Sequence, residues 1–519
     1  MNFLLALFAG AASAFAFQPV GWWPLMILAI AALCELISRA GSLRQSLAIG
    51  WGFGVGQFCI GLNWIATAFT FQAAMPAWLG WIAVVLLSLY LAVYPMVATG
   101  LAWRFGHRSK LSLVLALAGS WAITEWLRAT MFTGFAWNPI GVTLADTPLI
   151  GITRLIGTYG LTAIAALLGG ALWLAAHRRW KAPAAILIVA ALPAALPPTS
   201  PAPFHAPPLK STGGDVNGMI LMRPIRIVQP NIGQQDKWRP GFDEIAAERL
   251  RALSARGPQE SHLLFWPEAA VTQPLSDERA GAAPLVDAER QRAVRVLPPQ
   301  ELLVTGGLGL LSRDRQTVTG ATNSVFVLTP GGGIAGRYDK AHLVPYGEYL
   351  PMRPLLSAIG LSRLAPGDLD FRPGPGPRSL QLPGSWGRMG LQLCYEIIFS
   401  GEVIDRANRP DFIFNPSNDA WFGRWGPPQH LAQARLRAAE EGLPVIRSTP
   451  TGISALIDAD GRIVKSLPWR TAGVIDAALP DPHQPTLFAR LGNIIPLTLG
   501  FILLIAAIAL DRRGRYRPI

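Results

Sequence analysis

Eight long apolar runs constrain what this chain can fold into more than any other feature. Seven follow one another within the first 197 residues and one lies near the C-terminus, at positions 2–17, 20–38, 48–70, 78–103, 111–128, 155–177, 183–197 and 494–510. A helix needs about 20 predominantly apolar residues to cross a bilayer core, and several runs reach that length. Charged residues make up only 15% of the chain, against about 25% in soluble domains. We therefore expect a bundle of about eight transmembrane helices.

Basic residues divide the connections between these runs into two kinds. Lys and Arg cluster after the second, fourth, sixth and eighth runs, whereas the alternate connections are poor in them. Cytoplasmic loops of membrane proteins carry such an excess of Lys and Arg. The pattern predicts a multi-pass protein of the cell inner membrane with both termini in the cytoplasm and the segment between runs seven and eight in the periplasm. The clusters carry no nucleic-acid motif, so the net charge of +13 does not indicate a nucleic-acid partner.

The segment between the last two runs has the composition of a globular domain. Residues 198–219 are rich in Pro and end in Gly-Gly, which indicates a linker. From there to about residue 482, short β-rich runs alternate with helical stretches, which predicts two sheets between helices in an α/β domain. The predicted strands are 225–228, 263–266, 302–305, 324–328, 389–393, 412–414, 454–457 and 473–475, and the predicted helices are 244–255 and 431–441.

Three of the strands run directly into reactive side chains. Glu268 follows the strand at 263–266, Lys340 follows a strand that ends near Tyr338, and Cys394 follows the strand at 389–393. Taken singly, each residue is typical of a core or surface position. Together they suit acyl transfer: a carboxylate can take the proton of a thiol, and an ammonium can stabilise the negative charge that develops on a carbonyl oxygen. Cys394 is the candidate nucleophile.

Longer motifs around these residues resemble the carbon–nitrogen hydrolase (nitrilase) superfamily. They are Phe-Trp-Pro-Glu at 265–268, Tyr-Asp-Lys-Ala-His-Leu-Val-Pro-Tyr-Gly-Glu at 338–348 and Cys-Tyr-Glu at 394–396. The resemblance implies an α-β-β-α sandwich over residues 220–482. It also implies that Glu268 is the general base, Lys340 the oxyanion stabiliser and Cys394 the nucleophile. It further implies supporting roles for three residues, Glu348, Tyr395 and Glu396.

Other stretches narrow the resemblance to the apolipoprotein N-acyltransferase family. These are 21–25, 125–128, 133–135, 228–232, 237–238, 418–423 and 447–452, so the resemblance covers nearly the whole chain. Pro230 and Tyr346 depart from the family pattern, which has Gly and Phe there. The resemblance implies that an acyl chain passes from a phospholipid, commonly phosphatidylethanolamine, through a cysteine thioester to the N-terminal amine of S-diacylglyceryl-cysteine in apolipoproteins. No cofactor is implied. The candidate substrate-binding residues are Trp238, Trp421 and Phe422.

The residues leave several alternatives open. Trp421 and Phe422 are as typical of a core as of an apolar wall for an acyl chain. A membrane-anchored amidase would share the triad but use water as the acceptor, and a single anchor helix would suffice for it. A transporter would carry ionisable residues or broken helices at mid-membrane, and few are visible. Cys34 and Cys59 lie in apolar runs and no metal-binding motif is present, so no metal site is expected.

The remaining C-terminal segment, 483–519, would hold the last helix and a basic cytoplasmic tail.

Overall fold

The computed structural model describes residues 1–71, 76–191, 200–205, 223–237, 239, 241–255, 262–358 and 369–513. The N-terminal part is helical, because a helix satisfies the backbone hydrogen bonds of an apolar run within the run itself. Its helices are α1 Asn2–Ser13, α2 Pro24–Ser38, α3 Leu43–Gly61, α4 Ile65–Ala68, α5 Leu79–Leu91, α6 Val93–Gly106, α7 Lys110–Thr130, α8 Thr153–Ala176 and α9 Lys181–Ala191. Helices thus occupy each of the seven apolar runs predicted before residue 197.

The α/β domain that follows contains two sheets. Its strands are β1 Pro224–Gln229, β2 Leu263–Phe265, β3 Pro274–Asp277, β4 Leu302–Leu311, β5 Gly320–Leu328, β6 Ile334–Asp339, β7 Ser379–Gln381, β8 Arg388–Leu391, β9 Phe412–Pro416, β10 Val445–Ser448, β11 Ala455–Ile457, β12 Ile463–Ser466 and β13 Gly473–Ala478. One sheet has the order β13-β1-β2-β4-β5-β6 with β3 beside β4, and the other has the order β12-β11-β10-β9-β8-β7. Strands β1, β2 and β4 are parallel, as are β8, β9 and β10.

Helices cover both outer faces of this pair of sheets. The helices from here to the C-terminus are α10 Gln234–Lys237, α11 Phe242–Ser254, α12 Ala283–Val294, α13 Arg353–Ala358, α14 Gly426–Glu441, α15 Leu487–Leu491 and α16 Ile494–Arg513. An apolar core fills the space between the sheets, where the rings of Phe265 and Phe414 lie 4.7 Å apart. A second core joins the first sheet to α11 and α12. The four predicted layers are therefore present.

The fourth layer also packs against the N-terminal helices. Helix α14 and strand β10 share an apolar core with residues of the N-terminal part, including Trp64, Trp137 and Tyr159. Because such a core excludes water, it stabilises the contact between the α/β domain and the helices at about 25 cal/mol per Å² of apolar surface buried. The α/β domain is docked onto the helical part, and α14 lies at the junction.

The predicted number of membrane spans is not confirmed in full. Among the described residues, three helical stretches are long and apolar enough to cross a membrane: Leu79–Gly106, Pro148–Ala176 and Ile494–Arg512. Asn2–Ala16 and Pro24–Ser38 are apolar but shorter. Helices α3 and α7 contain more polar residues, such as the buried Gln57 and Thr124, which lowers their mean hydropathy. The segment 192–199, which completes the predicted seventh span, lies outside the described residues.

Several predicted boundaries differ from the structure in the α/β domain, and two of the differences have a local cause. The strand predicted at 389–393 ends at Leu391, because the backbone N–H of Leu393 donates to the Glu396 carboxylate at 2.7 Å instead of to a neighbouring strand. The predicted linker contains a described piece, 200–205, that is bound to the domain: the N–H of Ala202 donates to the carbonyl of Pro482 at 2.7 Å. The rest of the predicted linker lies outside the described residues.

Candidate active site

The two sheets bring the three strand-end residues of the predicted triad into one buried site. Glu268 follows β2, Lys340 follows β6, and Cys394 begins a short 3-10 helix, Cys394–Ile398, after β8. All three side chains are buried. Lys340 Nζ lies 3.8 Å from Glu268 Oε1, and Cys394 is close enough to both for their charges to shift its pKa. A carboxylate, an ammonium and a thiol therefore share one water-poor pocket.

Lys340 is held between two carboxylates. Its Nζ donates to Glu348 Oε1 at 2.9 Å, in addition to the contact with Glu268. Burial lowers the pKa of Lys340, but the negative charges of Glu348 and Glu268 outweigh burial and keep that pKa above its ordinary value. Lys340 is thus a fixed positive charge throughout the neutral range. Such a charge can stabilise an oxyanion without moving a proton.

Glu268 is oriented by two asparagines. Asn323 Nδ2 donates to Glu268 Oε1 at 2.7 Å and to Glu348 Oε1 at 2.8 Å, so it bridges the two carboxylates. The backbone N–H of Asn418 donates to Glu268 Oε2 at 2.6 Å. Strand β4 approaches the Glu268 backbone so closely at Gly306 that a Cβ there would lie 2.7 Å from the Glu268 Cα. The general-base candidate is therefore fixed on both sides.

Cys394 adopts a backbone conformation that is rare for a residue with a side chain. Its φ is 52°, in the left-handed region, where non-glycine residues cost of order 1–2 kcal/mol. Burial and the negative charge of Glu268 raise the pKa of the Cys394 thiol well above its ordinary value, although Lys340 and a backbone hydrogen bond from Asn418 oppose the rise. The resting thiol is therefore protonated, and it needs a neighbouring base to become a nucleophile.

Glu396 and Tyr395 occupy structural positions beside the nucleophile. Glu396 Oε1 accepts from the backbone N–H groups of Ala341 and His342 at 2.8 and 2.9 Å, while Oε2 accepts from Leu393. Glu396 thus ties the loop that carries Lys340 to the loop that carries Cys394. The hydroxyl of Tyr395 donates to the carbonyl of Gly134 at 3.2 Å, which links the nucleophile loop to the segment after α7.

The aromatic residues predicted to bind substrate lie at the junction with the N-terminal helices. Trp421 packs edge-on against Phe71, with ring centroids 5.7 Å apart. Phe422 lies 4.6 Å from Trp64 and 5.6 Å from Trp137. Trp421 and Phe422 are both only partly buried. Trp238, the third residue of this prediction, lies outside the described residues.

Several buried polar groups around the triad were not predicted from the sequence. Asn323 lies one residue before the predicted start of its strand, and Asn418 belongs to a recognised motif that gave no role for it. Lys237 ends α10; burial lowers its pKa to about 8, against the opposing charge of Glu268. Only Asn323 lies in a strand, so polarity inside a strand could have revealed Asn323 but not Lys237 or Asn418.

A further unpredicted group lies behind the nucleophile. Ligand atoms of Cys394, Asp419 and His430 lie within 4.8 Å of one another, close enough to hold a metal ion, although the sequence predicts no metal site. Asp419 already pairs with Arg447, Nη2 to Oδ2 at 2.6 Å, and with the imidazole of His430 at 3.0 Å. These protein contacts engage the carboxylate and the imidazole without an ion.

Two family models match consecutive parts of the chain. Residues 9–171 match the N-terminal domain of apolipoprotein N-acyltransferase, and residues 225–483 match carbon-nitrogen hydrolase. The apolipoprotein N-acyltransferase of Bradyrhizobium diazoefficiens is 36% identical over 98% of this chain and 95% of its own length. That of Rhodopseudomonas palustris is 35% identical over 98% of this chain and 95% of its own length. A solved nitrilase-superfamily protein of Saccharomyces cerevisiae is 17% identical, with a TM-score of 0.35, and covers 53% of this chain and 95% of its own.

Proposed function

Because the chain belongs to the apolipoprotein N-acyltransferase family, we propose that it acylates the N-terminal amine of S-diacylglyceryl-cysteine in apolipoproteins. The acyl chain comes from a membrane phospholipid, with phosphatidylethanolamine as the expected donor, and passes through a thioester on Cys394. The observation that carries this mechanism is the buried contact of Lys340 with Glu268, 3.8 Å apart, beside the Cys394 thiol. This constellation lies in a domain docked onto apolar helices.

In the first half-reaction the thiol becomes acylated. Glu268 takes the proton of the Cys394 thiol, and the sulfur attacks the ester carbonyl carbon of the phospholipid. A C–S bond forms, the ester C–O bond breaks, and the lysophospholipid oxygen takes the proton from Glu268. Lys340 stabilises the negative charge on the carbonyl oxygen in the tetrahedral state. The fixed charge of Lys340 suits this role because it needs no proton transfer.

In the second half-reaction the amine of the apolipoprotein takes the acyl group. The nitrogen attacks the thioester carbonyl, a C–N bond forms and the C–S bond breaks. Glu268 takes the proton that the nitrogen must lose and returns it to the sulfur. Splitting the transfer into two steps is the usual advantage of a covalent intermediate. No cofactor is needed, because each proton and electron pair is accounted for by the two substrates and Glu268.

The membrane arrangement is part of the same proposal. Residues 1–197 form seven spans, 198–219 a linker, 220–482 the catalytic domain, and 483–519 the last span with a basic cytoplasmic tail. Basic clusters after alternate runs support eight spans, cytoplasmic termini and a periplasmic catalytic domain in the inner membrane. Trp421 and Phe422 would line the path of the acyl chain, since their rings face aromatic residues of the N-terminal helices; Trp238 is assigned to the same wall by the family motif.

The experiment that tests the proposal separates the two half-reactions. Purified wild type is incubated with phosphatidylethanolamine alone, and intact mass is expected to rise by one acyl group, located on Cys394. A synthetic diacylglyceryl-cysteine peptide is then expected to receive that group and regenerate the free enzyme. Cys394→Ala should do neither. If water discharges the acyl group and the peptide does not accelerate its loss, the chain is a hydrolase and the proposed transfer is wrong.

A further inference from the structure

The carbonyl oxygen of the candidate nucleophile is bound by a buried histidine. His430 lies on α14, and its Nε2 is 3.0 Å from the carbonyl oxygen of Cys394. His430 is fully buried and packs against the rings of Trp137 and Phe422, with centroids 5.2 and 5.9 Å away. A rigid helix therefore presents one hydrogen-bond donor to the peptide group on which the nucleophile depends.

The peptide group between Cys394 and Tyr395 depends on neighbouring contacts to keep its conformation. With φ at 52°, Cys394 is in a strained conformation, and strained residues persist only where their surroundings fix them. The second contact of this carbonyl, with Asn415 Nδ2, is long at 3.5 Å. If the peptide between Cys394 and Tyr395 rotated, the hydrogen bond to His430 would be lost. The histidine contact therefore opposes relaxation of the turn.

Asp419 and Arg447 fix the orientation of the imidazole. A carbonyl oxygen can only accept, so Nε2 of His430 carries a proton and donates to the Cys394 carbonyl. Nδ1 of His430 lies 3.0 Å from both Asp419 Oδ1 and Arg447 Nη2. Burial and the neighbouring charge of Arg447 lower the pKa of His430, and the Asp419 carboxylate opposes that change. Arg447 also donates to Asp419 Oδ2 at 2.6 Å. The guanidinium thus holds both the ring and the carboxylate.

The same network reaches the general base. Asp419 follows Asn418, whose backbone N–H donates to Glu268 Oε2 at 2.6 Å and also forms a hydrogen bond to the Cys394 thiol. Fixing Asp419 through Arg447 and His430 therefore fixes the peptide that lies between base and nucleophile. One buried cluster sets the position of both reacting groups.

We propose that His430 is a positioning residue for acylation: its Nε2–H holds the Cys394 carbonyl so that the thiol stays directed at Glu268 and Lys340. The proposal rests on the proposed role of Cys394 as the nucleophile. Displacement of a reacting group by about 1 Å can cost on the order of a hundredfold in rate. Loss of the donor should therefore reduce the acylation rate much more than it changes the KM for phospholipid.

Two substitutions distinguish a hydrogen-bond role from a packing role. His430→Leu removes the donor while keeping an apolar side chain of similar size, and His430→Gln keeps an N–H near the position of Nε2. His107 at the end of α6 supplies the control, because its Nδ1 also contacts a backbone carbonyl, that of Trp103 at 2.7 Å, and its ring stacks on the Trp103 ring. His107→Leu removes such a contact at a place that touches neither the Cys394 loop nor the Lys340 loop.

The measurements are the rate of acyl-enzyme formation from phosphatidylethanolamine and the rate of Cys394 alkylation by a small maleimide, both resolved by peptide mass spectrometry. His430→Leu should slow both by about 10- to 100-fold with little change in KM, His430→Gln should recover at least part of each rate, and His107→Leu should stay within about threefold of wild type. Wild-type rates in His430→Leu, or equal losses in Leu and Gln variants that follow their melting temperatures, would overturn the proposal. The maleimide arm needs no lipid, so alkylation of wild type without acylation would reject the proposed function and still decide the role of His430.

Discussion

The carboxylate of Glu440, on α14 of the α/β domain, caps an interrupted helix of the N-terminal part at Thr158. Glu440 Oε1 accepts from the backbone N–H of Thr158 at 2.5 Å and from its hydroxyl at 2.7 Å. Gly157, with φ at 67°, breaks α8 directly before Thr158. The N–H groups that follow such a break have no partner within the helix, and an anion is favourable there. This contact joins the two parts of the chain by a charged group rather than by apolar packing alone.

The same carboxylate also contacts the nucleophile loop. Ser400 Oγ donates to Glu440 Oε1 at 2.8 Å, and Arg437 Nε lies 2.8 Å from Glu440 Oε2. Arg437 in turn donates to the carbonyl of Ile398, at the end of the short helix that Cys394 begins. The guanidinium of Arg437 is buried, and its ion-pair partner is the Glu440 carboxylate. Glu440 therefore serves both the junction and the site.

Removal of this carboxylate is expected to destabilise the whole chain. Glu440→Ala leaves the buried guanidinium of Arg437 without its counter-ion, which typically costs about 3–5 kcal/mol. The melting temperature in detergent above about pH 7 should fall in Glu440→Ala, whereas the neighbouring Glu441→Gln, which keeps Arg437 paired, should not lower it. If Glu440→Ala and Glu441→Gln melt alike, the capping contact does not hold the two parts together.

Lys340 provides a test of oxyanion stabilisation. Lys340→Ala should lower the rate of acylation by on the order of a hundred- to a thousandfold, because it removes a preorganised positive charge. Lys340→Arg keeps the charge with a different shape, and it is expected to retain a trace of activity. Single-turnover acylation of each variant by labelled phospholipid is the measurement. Equal residual rates in the Ala and Arg variants would show that charge is not what Lys340 contributes.

Glu348 should affect turnover through Lys340 rather than through substrate. Its Oε1 binds the Lys340 ammonium at 2.9 Å, and its Oε2 accepts from the backbone N–H of Val344 at 2.8 Å. Glu348→Gln keeps an oxygen acceptor but loses the charge, whereas Glu348→Ala loses both. We expect kcat to be lower in Glu348→Gln than in wild type and lower still in Glu348→Ala, while the domain stays folded. Measurement of kcat beside the far-ultraviolet circular dichroism spectrum checks this, and unfolding of the Ala variant would contradict it.

The sequence predicted those parts of the molecule in which apolar pattern and position agree. Strands β2 and β9 lie between two covered faces, so their continuous apolar runs were visible, and Glu268 followed as the first ionisable residue after β2. Strand β10 was missed because it contains Arg447, a charged residue in a buried strand. Only the pairing of Arg447 with Asp419, which comes from a different part of the chain, makes that burial possible. Pairings of this kind cannot be read from one segment.

Site residues were predicted where they stand in a recognised motif that implies a chemical role. Residues without such a motif or role were missed. Cys394, Glu268 and Lys340 stand in recognised patterns, whereas Asn323 lies just before a strand predicted to begin at 324. The strand in fact begins at Gly320. The predicted start was too late because polar Thr322 and Asn323 interrupt the apolar pattern, although their side chains are buried. His430 lies on a predicted helix boundary and carries no signal of its own. Its role depends on the backbone turn at Cys394, which only the three-dimensional structure gives.

Glu441 should make stability depend on pH. Burial, followed by the charge of Glu440, raises the pKa of Glu441 from 4.5 to about 7, and the nearest guanidinium, Nη1 of Arg409, is 3.8 Å away. The folded chain therefore holds this proton to higher pH than the unfolded chain does. Protonated Glu441 contributes stability that is present below about pH 4.5 and is lost as pH rises through about 7.

Glu441→Gln removes this titration because the amide stays neutral at every pH in the range. We expect the melting temperature of wild type to fall, relative to that of Glu441→Gln, between about pH 5 and pH 8, and the variant to be the more stable protein above pH 7. Glu244→Gln, at a side chain that is 68% exposed, is the control for loss of a surface charge. If wild type and Glu441→Gln keep a constant difference in melting temperature across this range, the Glu441 carboxyl does not titrate with a raised pKa in the folded chain. If the difference grows with pH while Glu244→Gln follows wild type, the buried carboxyl is the group responsible.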